Sequence, residues 1–204
     1  MFKVLNANKL SFHIEKYEKY WRTQPVKKKE MLLEAGEIAN KVFYIESGIA
    51  RIFFYNKKTK KETTFAFLSA GNTVLGFQNF LKDYKFNIPT TINVQMISDG
   101  VVRSTSIETW MELEQQDQEL VEFRNQLILK IISGIVQHSS NLATLDATAH
   151  YRLLLKEFDF VKDLDNEYVA SYLGIDVDHF VRIKKKYKKN NKKCRYRLLS
   201  LKNR

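Results

Sequence analysis

The chain has 204 residues, 44% of them apolar and 28% charged, and a formal net charge of +11. That apolar content excludes a disordered chain, and the length allows one large or two modest domains. A single cysteine, Cys194, excludes a disulfide framework and a cysteine-built zinc or iron–sulfur centre. No stretch approaches the roughly 20 apolar residues that cross a bilayer, and the first residues carry no secretory signal. A soluble cytoplasmic protein without a membrane partner is therefore expected.

Met1 to Arg22 reads as an amphipathic packing helix, with Leu10, Ile14, Tyr17 and Trp21 at helical spacing. From Pro25 to Ile107 the texture changes to short runs of β-branched and aromatic residues. Val42–Ile45, Ile49–Tyr55, Thr63–Leu68, Ile92–Ile97 and Val101–Thr105 are the expected strands. Ala35-Gly36, Ser47-Gly48, Ala70-Gly71-Asn72 and Asp99-Gly100 are the turns between them. Many short strands at regular spacing predict a jelly-roll-like double-sheet β-roll. Only Gly76 to Asp83 reads as helical inside it.

From Ile107 the period becomes helical. Thr105 or Ser106 caps a short helix over Glu108–Glu114, and Asp117 opens a long one. Leu120, Phe123, Leu127, Ile131, Ile135, His138 and Leu142 recur three or four residues apart along it, close to a coiled-coil period. A stripe this long is read as a homodimer helix that also packs in part on the roll. A further helix is expected over Ala147–Phe160. The fold class is thus α+β, in three parts. Residues 1–116 form the N-terminal helix and roll, 117–146 the long connecting dimer helix, and 147–204 a C-terminal domain.

That last part has a specific pattern. Val169 and Ala170 are followed by Leu173, Gly174 and Ile175, then by Phe180 and Ile183. A small residue lets two helices approach, the glycine takes a turn with φ > 0, and the remaining apolar residues pack the pair. This is the spacing of a helix-turn-helix. After Asp178 the chain has no acidic residue but twelve basic ones, which account for its net charge. Phe180, Ile183 and Tyr187 should face the scaffold. Asp178, His179, Arg182, Lys185, Lys186 and Lys189 should face outward, and Ser171 and Tyr172 on the first helix should reach the DNA backbone. Arg182 suits a guanine edge, and the lysines suit phosphates. The tail Lys192–Arg204 reads either as a short wing strand or as a flexible arm. The expected partner is double-stranded DNA.

This order of parts resembles the Crp–Fnr family of bacterial transcription regulators over nearly the whole chain. Glu30–Glu37 (EMLLEAGE) and Val42–Arg51 (VFYIESGIAR) look like the opening of a cyclic-nucleotide-binding roll. Tyr168–Ile175 (YVASYLGI) and Phe180–Lys185 (FVRIKK) are similar to the DNA-reading segment of the branch common in the Bacteroidetes group. The resemblance implies a homodimer reading a palindromic site, RNA polymerase as a partner, and Arg182 as a base reader paired with Asp178. It also implies an effector pocket around Gly76, Phe77, Gln78, Asn79, Thr90 and Thr91. There the chain departs from the family. Phe77 stands where a ribose-binding glutamate is expected, no arginine lies between Arg51 and Arg103, and Thr90 and Thr91 fall near the arginine's place. Cyclic AMP is therefore not the expected effector, and the pocket reads as degenerate or as fitted to something else.

Enzyme motifs are absent: there is no phosphate loop ending in Lys-Ser/Thr, no Gly-x-Ser-x-Gly and no His-Glu-x-x-His. His13, His138, His150 and His179 have no metal-ligand spacing, so neither a metal nor a cofactor is expected. The alternative to a regulator is a small-molecule sensor or interaction module. It would dimerise through the long helix and bind nucleic acid without sequence preference.

Overall fold

The computed structural model describes residues 15–75 and 88–202, with backbone alone at Leu75 and from Asn190 onward. Leu10, Ile14, the expected helix over Gly76–Asp83 and its pocket residues Gly76, Phe77, Gln78 and Asn79 lie outside the described residues. The chain divides into two compact units, Met1–Gln137 and His138–Arg204.

The first unit is an α+β structure whose strands pair antiparallel throughout. They are β1 (Arg22–Val26), β2 (Met31–Leu33), β3 (Lys41–Ser47), β4 (Ile49–Asn56), β5 (Lys61–Ser69), β6 (Thr73–Leu75), β7 (Asn93–Met96) and β8 (Gly100–Ser106). They form two four-stranded sheets, ordered β1-β8-β3-β6 and β2-β7-β4-β5. Four of the five expected runs lie within strands, and the fifth, Ile92–Ile97, overhangs β7 by one residue at each end. β1, β2 and β6 were not expected, being only three to five residues long. β1 also contains Pro25, and it is tolerated because β1 is an edge strand, where a missing N–H breaks no central ladder. Arg22, the last residue of the expected N-terminal helix, instead pairs with β8 in β1; among the described residues before it, 15–16 are helical and Glu18–Tyr20 form a short 3-10 turn.

Side chains from both sheets meet in one core, including Val26, Phe43, Ile45, Ala50, Val94, Met96 and Val102. Where β3 ends and β8 begins, the backbones nearly touch. A Cβ on Gly100 would lie 2.2 Å from the Ser47 carbonyl oxygen, so only glycine fits.

Helix α1 (Ile107–Gln116) follows β8 directly. Ser106 caps it, its hydroxyl accepting from the Thr109 N–H at 3.0 Å. Asp117 then separates α1 from the long helix α2 (Gln118–Thr144). Its carboxylate accepts from Tyr17 Oη at 2.6 Å, Lys16 Nζ at 2.7 Å and the Glu119 N–H at 2.9 Å. These donors, led by Lys16, hold the Asp117 carboxyl down at about 2. Behind it Ile107, Trp110, Leu113, Leu120, Phe123 and Leu127 pack with Val42 of β3 in a second core, with Ile131 against it. Trp110 Nε1 donates to Glu114 at 2.6 Å, and Arg124 pairs with the same carboxylate.

This packing takes up the first half of the expected dimer stripe. Leu120, Phe123, Leu127 and Ile131 are spent on the chain's own core, and His138 is buried. Ile135 and Leu142 are exposed. The apolar residues that α2 most fully exposes in this unit lie on a different face: Leu129 (67%), Ile132 (46%) and Val136 (63%), spaced i, i+3, i+7.

The second unit holds α3 (Ala147–Glu157), a 3-10 turn (Asp159–Asp163), α4 (Asn166–Tyr172) and α5 (Val177–Lys202). The expected wing strand does not form. The backbone from Lys192 to Lys202 continues α5, in keeping with a stretch free of glycine and proline and rich in Lys, Arg and Leu. Among the described residues, no helix is long and apolar enough to cross a membrane.

Candidate nucleic-acid interface

The turn between α4 and α5 is built as the spacing demanded. Gly174 has φ +69°, the left-handed conformation that only glycine adopts without cost. The Gly174 N–H donates to the Ser171 carbonyl and the Ile175 N–H to the Ala170 carbonyl, which closes α4 in a Schellman motif. Two residues later Asp176 starts α5, its carboxylate accepting from the His179 N–H at 2.7 Å. Val169, Ala170 and Leu173 are buried beneath this turn.

Helix α5 is sorted by face. Phe180 is fully buried and Ile183 nearly so, and Tyr187 is half-buried. Tyr151 of α3 meets the Phe180 ring edge-on at 5.0 Å and the Tyr187 ring at 5.7 Å. Asp178, His179, Arg182, Lys185, Lys186 and Lys189 are all exposed. Lys184 is not part of that face: its ammonium donates to Asn166 Oδ1 at 2.9 Å. No ion pair joins Asp178 to Arg182 among the described residues, although they stand four apart. An exposed pair of this kind gains little over hydration.

On α4, Ser171 is half-buried and Tyr172 is buried, at 6% exposure. Tyr172 therefore does not reach outward as expected. It lies instead between two histidines that sequence spacing kept apart. Its ring is 4.3 Å from that of His138 and 5.4 Å from that of His150, and the two imidazoles are 5.7 Å apart. Burial, with a smaller push from His150, lowers His138 to about 4; burial lowers His150 as well. Among the described residues, no three His, Cys, Asp or Glu side chains gather as a metal site would require.

Of the expected effector residues in the roll, Thr90 is buried and Thr91 exposed. Thr90 is wired into the turn at Glu34–Glu37. Its N–H donates to the Glu37 carbonyl, its carbonyl accepts from Gly36, and its hydroxyl accepts from the Ile92 N–H.

The first unit is a two-sheet roll from which a long helix runs, and the second is a helical unit whose last helix carries an exposed basic face. Residues 23–117 match the cyclic nucleotide-binding domain family. Solved structures extend the likeness over most of the chain. The c-di-GMP responsive global regulator CLP of Xanthomonas campestris is 16% identical, with 89% of this chain and 93% of that one covered and a TM-score of 0.69. FixK2 from Bradyrhizobium japonicum is 15% identical, with 84% and 86% covered and a TM-score of 0.71. A protein from Eubacterium rectale, described as a crp/fnr-family transcriptional regulator, is 16% identical, with 90% and 86% covered and a TM-score of 0.68. No curated protein matches the sequence. The roll thus matches the cyclic nucleotide-binding domain family, and the chain has the fold of these Crp/Fnr-type regulators.

Proposed function

We propose that the chain is a homodimeric, sequence-specific DNA-binding transcription regulator, with α4 and α5 as its helix-turn-helix. The observation that carries this is the sorting of α5. Phe180 and Ile183 are buried, with Phe180 and Tyr187 against Tyr151 of α3, while His179, Arg182, Lys185, Lys186 and Lys189 stand in solvent with Asp178 at the first turn. A helix so arranged enters the major groove by its N-terminal half. Arg182 then forks onto guanine O6 and N7, and Lys185 and Lys189 neutralise phosphates.

In this reading the twofold partner packs on the exposed α2 face of Leu129, Ile132 and Val136. The two reading helices then address half-sites about one helical turn, roughly 34 Å, apart. RNA polymerase is the protein partner that the regulator role implies. The effector pocket is degenerate or fitted to something other than cyclic AMP, because Phe77 stands in place of the family's acid and no arginine lies between Arg51 and Arg103.

Competition binding tests the proposal. A duplex enriched from a random pool should displace labelled site far better than random duplex of the same length. Equal displacement by both would leave a non-specific nucleic-acid binder instead.

A further inference from the structure

Beside the reading face lies a recess of about 380 Å³, open to solvent, whose walls come from α3 and α5. On the α5 side are His179 and Lys186, seven residues apart and so two turns apart on one edge of the helix. Across from them are Thr148 in the first turn of α3 and Arg152 one turn on. Among the described residues, no side-chain hydrogen bond or ion pair engages Thr148, Arg152, His179 or Lys186. Asp146 also lines the recess, but its Oδ1 already accepts from the Thr148 and Ala149 N–H groups at 2.8 and 2.9 Å. The helix amides are thus capped, and what the recess offers a ligand is side-chain donors: a guanidinium, an ammonium, an imidazole and a hydroxyl. This set suits one phosphodiester, with the planar fork of Arg152 as its anchor, although Arg152 also feels the Asp146 carboxylate, which it helps the Ala149 N–H hold below its ordinary value.

We infer that this recess is a DNA-backbone clamp between α3 and the reading helix, in which Arg152, His179, Lys186 and Thr148 hold one phosphate. The inference rests on the DNA-reading proposal and deepens it. It adds α3 to the interface and assigns His179 and Lys186 to backbone grip, leaving base recognition to Arg182. A clamp anchored through Arg152 on a second helix fixes the angle at which α5 enters the groove, yet carries no sequence information.

The test is Arg152→Gln in the full-length protein, with Arg152→Lys as the charge-keeping control, titrated with enriched and random duplexes over a salt series. Arg152 is exposed, so both variants should keep the melting temperature of the parent protein. Arg152→Gln should weaken both duplexes by the same factor, roughly five- to thirtyfold. It should also lower the slope of log affinity against log salt by about one, while Arg152→Lys retains that slope. An unchanged slope and affinity with wild-type selectivity intact would overturn the clamp and leave the DNA reading standing. A loss confined to the enriched duplex would also overturn it, by making Arg152 a base reader. Absence of any duplex binding by the parent protein would instead remove the DNA reading, and the clamp with it. Inorganic phosphate, titrated without DNA and followed by NMR, should bind only in the millimolar range or weaker. Saturation at micromolar phosphate would identify a free-anion site and overturn the assignment to the backbone.

Discussion

His138 and Tyr172 lie ring to ring at 4.3 Å with an interplanar angle of 36°, both buried, joining the end of α2 to α4. His150 of α3 completes the cluster, so three helices of the second unit share one aromatic contact. Its chemistry sets a pH dependence. Burial and the neighbouring His150 hold His138 at about 4. Burial also lowers His150, against a pull upward from Glu157. Unfolded, each imidazole takes its proton near 6.5. As pH falls from about 6.5 towards 4 the unfolded chain binds protons that the fold excludes, so stability is full above that window and is lost within it. For His138 the loss approaches about 1.4 kcal/mol per pH unit, and His150 adds to it in the same direction. Hydrogen exchange at the α4 amides, corrected for intrinsic rate, should show protection eroding across this window. The double variant H138L/H150L should flatten that profile, and an unchanged profile in the variant would assign the acid sensitivity elsewhere.

Gly174 offers a test of the turn independent of DNA. A Cβ there would meet only Leu142 Cδ2, at an ordinary 3.6 Å, so space is not the obstacle. The obstacle is its φ of +69°, a left-handed conformation that costs an ordinary residue about 1–2 kcal/mol. Gly174→Ala should lower unfolding stability by about 1 kcal/mol, and Gly174→Asn by less, since asparagine tolerates this conformation. Denaturant melts of the two variants check the order. A larger loss for asparagine would place the strain in packing rather than in the backbone.

Asp117 is the hinge acid between α1 and α2. It accepts from Lys16, Tyr17 and the Glu119 N–H, and its carboxyl is held down at about 2. Because its folded value lies below the ordinary 3.8, its contribution is present above that pH and disappears as pH falls towards 2. Asp117→Ala removes the acceptor at the start of α2 and should cost about 1–2 kcal/mol, within the range of lost helix caps. Trp21 and Trp110 lie in the same unit, so their fluorescence during denaturant unfolding should report the change directly.

The same rules explain what the sequence disclosed and what it hid. The faces of α5 were legible because Phe180 and Ile183 keep a strict helical period while every intervening side chain but Val181 is charged or polar. The strands on β3, β4, β5, β7 and β8 were legible from their β-branched and aromatic runs. The histidine–tyrosine cluster was not, since 34 residues separate His138 from Tyr172 and no local period links them. Arg152 was hidden for the same reason: on α3 alone it is one more exposed cation, and only the fold sets it opposite His179 and Lys186. On α2 periodicity was ambiguous, because apolar residues populate two faces. Which face met the roll was decided by Trp110 and Val42, distant in sequence.

Arg182 is the proposed residue on which sequence preference turns. It is exposed, unpaired with Asp178 and placed at the second turn of α5. Arg182→Ala should cost about 1–3 kcal/mol on the enriched duplex and clearly less on random duplex. Equal losses on both, with a reduced salt slope, would make it a phosphate contact.

The exposed α2 face leads to a prediction about assembly. Leu129, Ile132 and Val136 form an apolar strip on the side of the helix opposite Phe123 and Leu127, which are already committed to the core. Solvating such a strip is unfavourable, and pairing it with its own copy across a twofold axis removes it from water on both chains. An aspartate at its centre would have to be desolvated in the pair but stays hydrated in the monomer. Val136→Asp should therefore shift the protein from dimer to monomer in sedimentation equilibrium while leaving the monomer's melting temperature close to the parent value. It should also abolish high-affinity binding to a two-half-site duplex, and binding to an isolated half-site should change little. Leu127→Asp separates the two roles of the helix: it strikes the core, so it should unfold the first unit rather than merely dissociate it. If Val136→Asp remains dimeric, the partner sits on another surface, and the strip at Leu129, Ile132 and Val136 is not where the two copies meet.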